Sequence, residues 1–227
     1  MNENIVSLRL AEPLEFPAPN DTLIAEAHHR VGNSLALLAS IVRLQARSFI
    51  NSSAAVPVAD VRLMIEELGQ RLDAVGKLHG RLSRADGPVD LGDYLREIAT
   101  SAAEGLAIAG RNHLHFDMSG ACVVPARAAP LIGLAVSELV MNAVKFAHPA
   151  GVVGALLIAC NRRDDLVVVE VTDDGVGLPE GFDPTTDGQF GLQLLRSLAA
   201  QLKARLEFDD TGLGLRVRLS LPVDVKR

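Results

Sequence analysis

The sequence predicts an all-α helical hairpin followed by an α+β domain. Two observations carry this reading. A pair of apolar heptad stripes of similar length flanks a short polar break, and beyond residue 110 the apolar period turns from helical to alternating. A third concerns the core. Of 227 residues, 48% are hydrophobic and only 4% aromatic, with no Trp, so the interior must be built from aliphatic side chains.

The elements follow in order. Pro13, Pro17 and Pro19 exclude a helix from residues 1–20, which read as an irregular tail. Asn20 or Asp21 would cap the first helix. Within it, Ile24, His28, Val31, Leu35, Leu38, Val42 and Gln45 advance by alternating steps of four and three, a heptad seam. After the break NSSAAVP at 51–57, Val61, Ile65, Leu68, Leu72, Val75, His79 and Leu82 repeat it. A hairpin over 21–85 buries one stripe per helix. Pairing with a second copy, as a dimeric four-helix bundle, would cover both seams, so a homodimer is expected. Packing on the rest of the same chain is the alternative. ADGP at 85–88 reads as a turn and linker. The domain over 90–227 then combines helices at 91–108, 127–147 and 192–202 with strands in HLHFDMS, ACVVP, GALLIACNRR, DLVVVEVTD, ARLEFDD and LRVRLSLP. Such an order gives one sheet with helices on one face.

Composition also excludes function classes. Lys plus Arg total 22 against 28 Asp plus Glu, a net charge of −6, which argues against a nucleic-acid partner. No stretch approaches the ~20 continuous apolar residues of a membrane span, and the N-terminus lacks the basic start and apolar block of a signal peptide. Cys122 and Cys160, each in an apolar run, read as small hydrophobes in a reducing compartment. A cytoplasmic protein is expected.

Three segments carry chemistry. In the first helix His28 falls on the seam, whereas His29 is rotated about 100° away, beside Arg30 and with Asn33 one turn on. An exposed neutral imidazole is available as a nucleophile, while His28 reads as a core residue. In SELVMNAVKFAHP, Glu138, Asn142 and Lys145 share a helix face. They would serve as a base or water-orienter, a ligand for Mg²⁺ and a phosphate contact; a surface ion pair with a neighbouring Asn is the plainer alternative. In VVVEVTDDGVGLP an apolar strand ends in Asp173, with Gly175 and Gly177 at alternate positions letting the backbone pass close to a flat ligand. Further on, Gly188 and Gly191, followed by Leu192, stand at a helix start suited to phosphates.

Taken in this order, the segments resemble those of two-component histidine kinases over residues 22–222. EAHHRVGNSLALLASIVRLQAR is similar to the phosphoacceptor helix of the HHRxKN subfamily. ELVMNAVKFAHP is similar to the N box, DDGVGLP to the first glycine box and GQFGLQLL to the second. The resemblance implies an α+β sandwich of the histidine kinase ATPase type, shared with gyrase, the Hsp90 chaperone and MutL. It implies that His29 accepts the γ-phosphoryl group of ATP and that Asn142 holds Mg²⁺ with Glu138 and Lys145 nearby. Asp173 would bond the adenine amine, Gly175 and Gly177 would support that pocket, and Gly188 and Gly191, with Leu192, would let a lid over 179–190 close. The partner implied is a response-regulator receiver domain. Gly32 and Ser34 stand where the subfamily has Lys and Asn, and Ser137 together with the missing Trp disfavours the related H-W-E class.

With about 65 residues in the hairpin and about 135 in the ATP domain, a chain of this length leaves no room for a sensor, and a separate sensor protein is expected to supply input. A histidine phosphotransferase relay with a vestigial ATP domain is the alternative. In a phosphatase variant of it, Asn33 orients water. An anti-sigma serine kinase would lack the HHR hairpin.

Overall fold

The computed structural model describes residues 87–105, 112–188 and 190–222, together with a set of residues between 39 and 76. His28, His29 and Asn33 lie outside the described residues, as does the tail at 1–20. In the earlier part of the chain Ala39, Val42, Arg43 and Ala46 are helical, and so are Val58, Val61, Arg62, Ile65, Glu66, Leu68, Gly69, Arg71, Leu72 and Gly76. Two seam residues, Val42 and Ile65, are 45% and 63% exposed. A third, Leu68, packs against the core of the following domain.

That domain opens with β1 (Val89–Asp90), α1 (Gly92–Gly105), β2 (Asn112–Asp117), β3 (Val123–Val124) and α2 (Ala129–Phe146). It continues with β4 (Gly154–Arg163), β5 (Leu166–Asp173), α3 (Phe190–Leu202), β6 (Arg205–Asp210) and β7 (Leu215–Pro222). The main sheet has five strands in the order β2-β4-β5-β7-β6. Only the β2–β4 pair is parallel. Alternation sends Leu156, Ile158 and Cys160 of β4, Val167, Val169 and Val171 of β5, and Val217, Leu219 and Leu221 of β7 to one face. There they join Leu95, Ile98, Ile132, Val136, Leu139, Leu194 and Leu198 of the helices in an aliphatic core. The opposite face carries a charged ladder in which Glu170 meets Arg216 and Arg218. One covered face and one polar face is the arrangement expected.

The chain is structured immediately after the segment read as a linker. Val89 and Asp90 pair antiparallel with Val124 and Val123, so the chain is pinned to the domain before α1 begins. The Asp90 carboxylate then accepts the Gly92 N–H at the helix start. A two-residue strand has no alternation to read, which is why the sequence shows only a turn there. α3 begins at Phe190, two residues before the expected start.

α2 is the central helix. Its 18 residues have a mean hydropathy of 1.4, sufficient by length and composition for a membrane, yet 61% of them are buried inside the fold. Its apolarity serves the core. Pro130 in its first turn sets the backbone without needing its own N–H.

Candidate functional site

Glu138 and Asn142 project from α2 one turn apart, as expected for i and i+4. Gly191, in the first turn of α3, lies directly against them. A β-carbon at 191 would stand 3.1 Å from Glu138 Oε2 and 3.4 Å from Asn142 Oδ1. A side chain at 191 would press on both groups, so glycine suits the close approach of the start of α3 to α2. The Asn142 carboxamide is partly exposed and makes no hydrogen bond among the described residues. Gly188, at φ +98°, turns the chain into α3, and its missing side chain leaves room for Leu192.

A second cluster forms at the other end of α2. Val176 N–H donates to the Ala147 carbonyl just past the helix, at 2.9 Å. A β-carbon on Gly175 would meet Ala147 backbone atoms at 2.4–2.5 Å. The first glycine segment is therefore seated on the end of the helix. Asp173 Oδ1 accepts the N–H of Gly175 at 2.9 Å and of Leu215 at 3.1 Å. These two bonds fix the carboxylate plane, and Oδ2 is left with no bond among the described residues. Gly177, at φ +73°, packs against the Asp210 carboxylate, which also accepts Leu178 N–H at 3.1 Å. From Glu138 to Ala147 the helix rises about 13 Å. That span suits a nucleotide better than a single ion.

Further contacts brace both clusters. His148 Nε2 donates to Asp174 Oδ1 at 2.7 Å, and the same oxygen accepts Ala155 N–H at 2.8 Å. Partial desolvation raises the Asp174 carboxyl, but these two bonds outweigh it and hold the group below its ordinary range. In the lid segment, Asp183 accepts from Thr185 and Thr186, whose bonds hold its carboxyl low. Arg196 Nη1 of α3 donates to the carbonyls of Pro184 at 2.8 Å and Asp187 at 2.9 Å. The segment expected to form a lid is thus a folded loop tied to α3.

Two participants are not marked in the sequence. Gly214, at φ +121°, lies against the backbone of Asp173; its GLG setting before a strand is the signal that points to it. Arg71 reaches Glu138 from the helical residues of the preceding segment. Its Nε donates to Oε1 and its Nη2 to Oε2, the latter at 3.0 Å. The Arg71 guanidinium also lies 4.6 Å from the centre of the Phe190 ring. Glu138, expected as an open base or water-orienter, is fully buried and ion-paired. Lys145 is partly buried on the same helix, three residues beyond Asn142.

Among the described residues no group of three His, Cys, Asp or Glu side chains is placed to hold a metal ion. The donor available is the unbonded Asn142 carboxamide beneath Gly191. A single neutral oxygen ligand fits a hard cation that takes its remaining ligands from phosphates and water.

Comparison with known proteins agrees with this geometry. Residues 26–105 match the family described as "Histidine kinase", and residues 128–225 match "Histidine kinase-, DNA gyrase B-, and HSP90-like ATPase". Blue-light-activated histidine kinase 2 of Erythrobacter litoralis is 30% identical over 91% of this chain and 59% of its own length. Sensor histidine kinase PdtaS of Mycobacterium tuberculosis is 32% identical over 89% of this chain and 40% of its own. The chain therefore spans about half the length of these curated relatives. The solved histidine kinase domain of the Erythrobacter litoralis EL346 blue-light activated histidine kinase superposes with a TM-score of 0.66 at 27% identity, covering 89% of this chain and 92% of that one. The chain belongs to the histidine kinase family, with an HHRxKN-type phosphoacceptor region followed by an ATPase domain of the shared α/β fold.

Proposed function

We propose that the protein is a cytoplasmic histidine kinase that phosphorylates its own His29 from ATP and passes the phosphoryl group to an aspartate of a response-regulator receiver domain. The observation that carries the reading is the seating of Gly191 on Glu138 and Asn142, with the Asp173 loop held at the far end of the same helix. Adenine would be read by the free Oδ2 of Asp173. The phosphates would lie along Gly188 and Gly191 at the start of α3, whose backbone N–H groups favour anions. Mg²⁺, when bound, would neutralise phosphate charge, and Asn142 would hold it. Lys145 adds a cation on the same helix. The lid tied by Arg196 would keep water from the transferred group. His29, displaced from the seam, would supply the nucleophilic imidazole nitrogen.

The exposed Val42 and Ile65 support a homodimer through the hairpin. Cys122 and Cys160, both free and buried, suit a reducing compartment.

The test is incubation of the pure protein with γ-labelled ATP and Mg²⁺. Acid-labile, base-stable label that disappears in His29→Ala is the expected result. A protein that takes no label from ATP, yet acquires it from a phosphorylated receiver domain, would be a relay, and the kinase reading would fall.

A further inference from the structure

We propose that His148 is a positioning residue for base recognition: by holding Asp174 at the start of β4 it leaves the neighbouring Asp173 to accept from an adenine amine. The inference rests on the ATP-binding reading above and names how that site would select its base.

A base entering beside the first glycine segment meets two adjacent carboxylates, so the choice between them must be built into the fold. The structure sorts them. Asp173, partly buried, is oriented by the Gly175 and Leu215 amides. Asp174 is drawn elsewhere, its Oδ1 taking His148 Nε2 at 2.7 Å and Ala155 N–H at 2.8 Å. Because the acceptor is a carboxylate oxygen, Nε2 carries the proton of this contact, and His148 donates whether its ring is neutral or charged.

Two neighbours place the imidazole. His148 follows directly on Ala147, whose carbonyl accepts Val176 N–H, so consecutive residues past α2 grip the glycine segment on both sides of Gly175. The ring also lies against Gly154, the first residue of β4. A β-carbon there would stand 2.1 Å from His148 Nε2, 2.2 Å from its Cδ2 and 3.0 Å from Asp174 Oδ1. The ring is thus wedged between bare backbone and a carboxylate, with 18% of its side chain exposed. It joins the end of α2, the start of β4 and the turn after β5.

Without that ring Asp174 keeps a single amide partner, and its side chain, 53% exposed, is free to swing. Two like charges on adjacent residues then share one region, and the direction of Asp173 Oδ2 is no longer enforced. The phosphate end is spared, since Gly191 lies against Glu138 and Asn142, earlier on α2. The loss therefore falls on discrimination between bases. A site built to bond an amine rejects an analogue that presents an oxygen there, and that rejection depends on a fixed acceptor.

The experiment titrates the protein calorimetrically with ADP and with inosine diphosphate, which carries an oxygen in place of the exocyclic amine. The unaltered protein should prefer ADP by about tenfold or more. His148→Phe keeps a ring but cannot donate, and should cut that preference by about threefold or more. His148→Gln, whose amide can also donate, should restore most of it. Gly154→Ala keeps His148 but pushes its ring aside, and should lower the preference in the same way; it decides the matter if His148→Phe does not fold. A preference that stays the same in His148→Phe and Gly154→Ala overturns the inference, even where both nucleotides bind more weakly, for the ring is then a structural brace only. An unaltered protein that binds neither nucleotide removes the ATP reading itself, and one that binds both alike removes Asp173 as the reader of the amine.

Discussion

Gly214 lies so close behind Asp173 that a β-carbon at 214 would stand 2.0 Å from the Asp173 carbonyl oxygen. The tip of the β6–β7 hairpin and the end of β5 are thus in backbone contact, and the next residue, Leu215, donates its N–H to the Asp173 carboxylate. Gly214 also sits at φ +121°, where side chains are strained. Gly214→Ala combines that strain with a backbone clash and should cost at least about 2 kcal/mol. Chemical denaturation will check this. A loss under about 0.5 kcal/mol, the usual range for a surface substitution, would mean that the hairpin is free to move away.

Asp173 itself should control nucleotide affinity more than stability. With Oδ1 held by two amides, Oδ2 is the atom that can accept from an adenine amine. Asp173→Asn replaces a charged acceptor by an amide and should weaken ADP binding by roughly ten- to a hundredfold, the equivalent of about 1.5–3 kcal/mol. Titration calorimetry with ADP measures it, and an unchanged Kd would place adenine elsewhere.

How much of this was legible in the sequence follows from the range of each interaction. Strands such as 154–163 and 166–173 declare themselves because one face is apolar over eight or more residues, and the glycine segments stand out because turns and close approaches need Gly. The spacing of Glu138 and Asn142 and the helix start at Gly191 are local patterns and could be read separately, but only the resemblance to histidine kinases joined the two segments in one site. Arg71 could not be read in this way. An arginine beside a heptad seam reads as a solvated side chain, and only the tertiary contact with Glu138 makes it a buried cation. Val89 and Asp90 were hidden for a related reason, because their strand exists only through pairing with Val124 and Val123, more than thirty positions further on.

Arg196 should fix the lid. Its Nη1 is shared by two carbonyls of the 183–187 loop, whose own bonds run through Asp183. Arg196→Met keeps the stem but deletes both bonds. The expected outcome is faster amide hydrogen exchange at Thr185, Thr186 and Asp187, with ATP affinity reduced several-fold and global stability lowered by about 1–3 kcal/mol. Unchanged exchange in the loop would show that Asp183 and its threonines hold it unaided.

Stability should fall in acid through a small set of carboxylates, and the sign can be worked from Asp210 and Asp174. The Gly212 and Leu178 amides hold the Asp210 carboxyl below its ordinary range. At Asp174 the Ala155 amide and His148 have the same net result against desolvation. A carboxyl that ionises more readily when folded binds fewer protons than in the unfolded chain over the window between the two values. Its contribution is complete above the unfolded value of about 3.9 and is lost as pH falls through the lower folded value. Denaturation midpoints should therefore be flat in this respect from pH 6 to about 5 and drop below about 4. Asp210→Asn, which cannot titrate, should start lower at pH 6 and show a shallower acid limb. Midpoints of Asp210→Asn that run parallel to those of the unaltered protein down to pH 3 would remove Asp210, and with it the Leu178 tether, from the set.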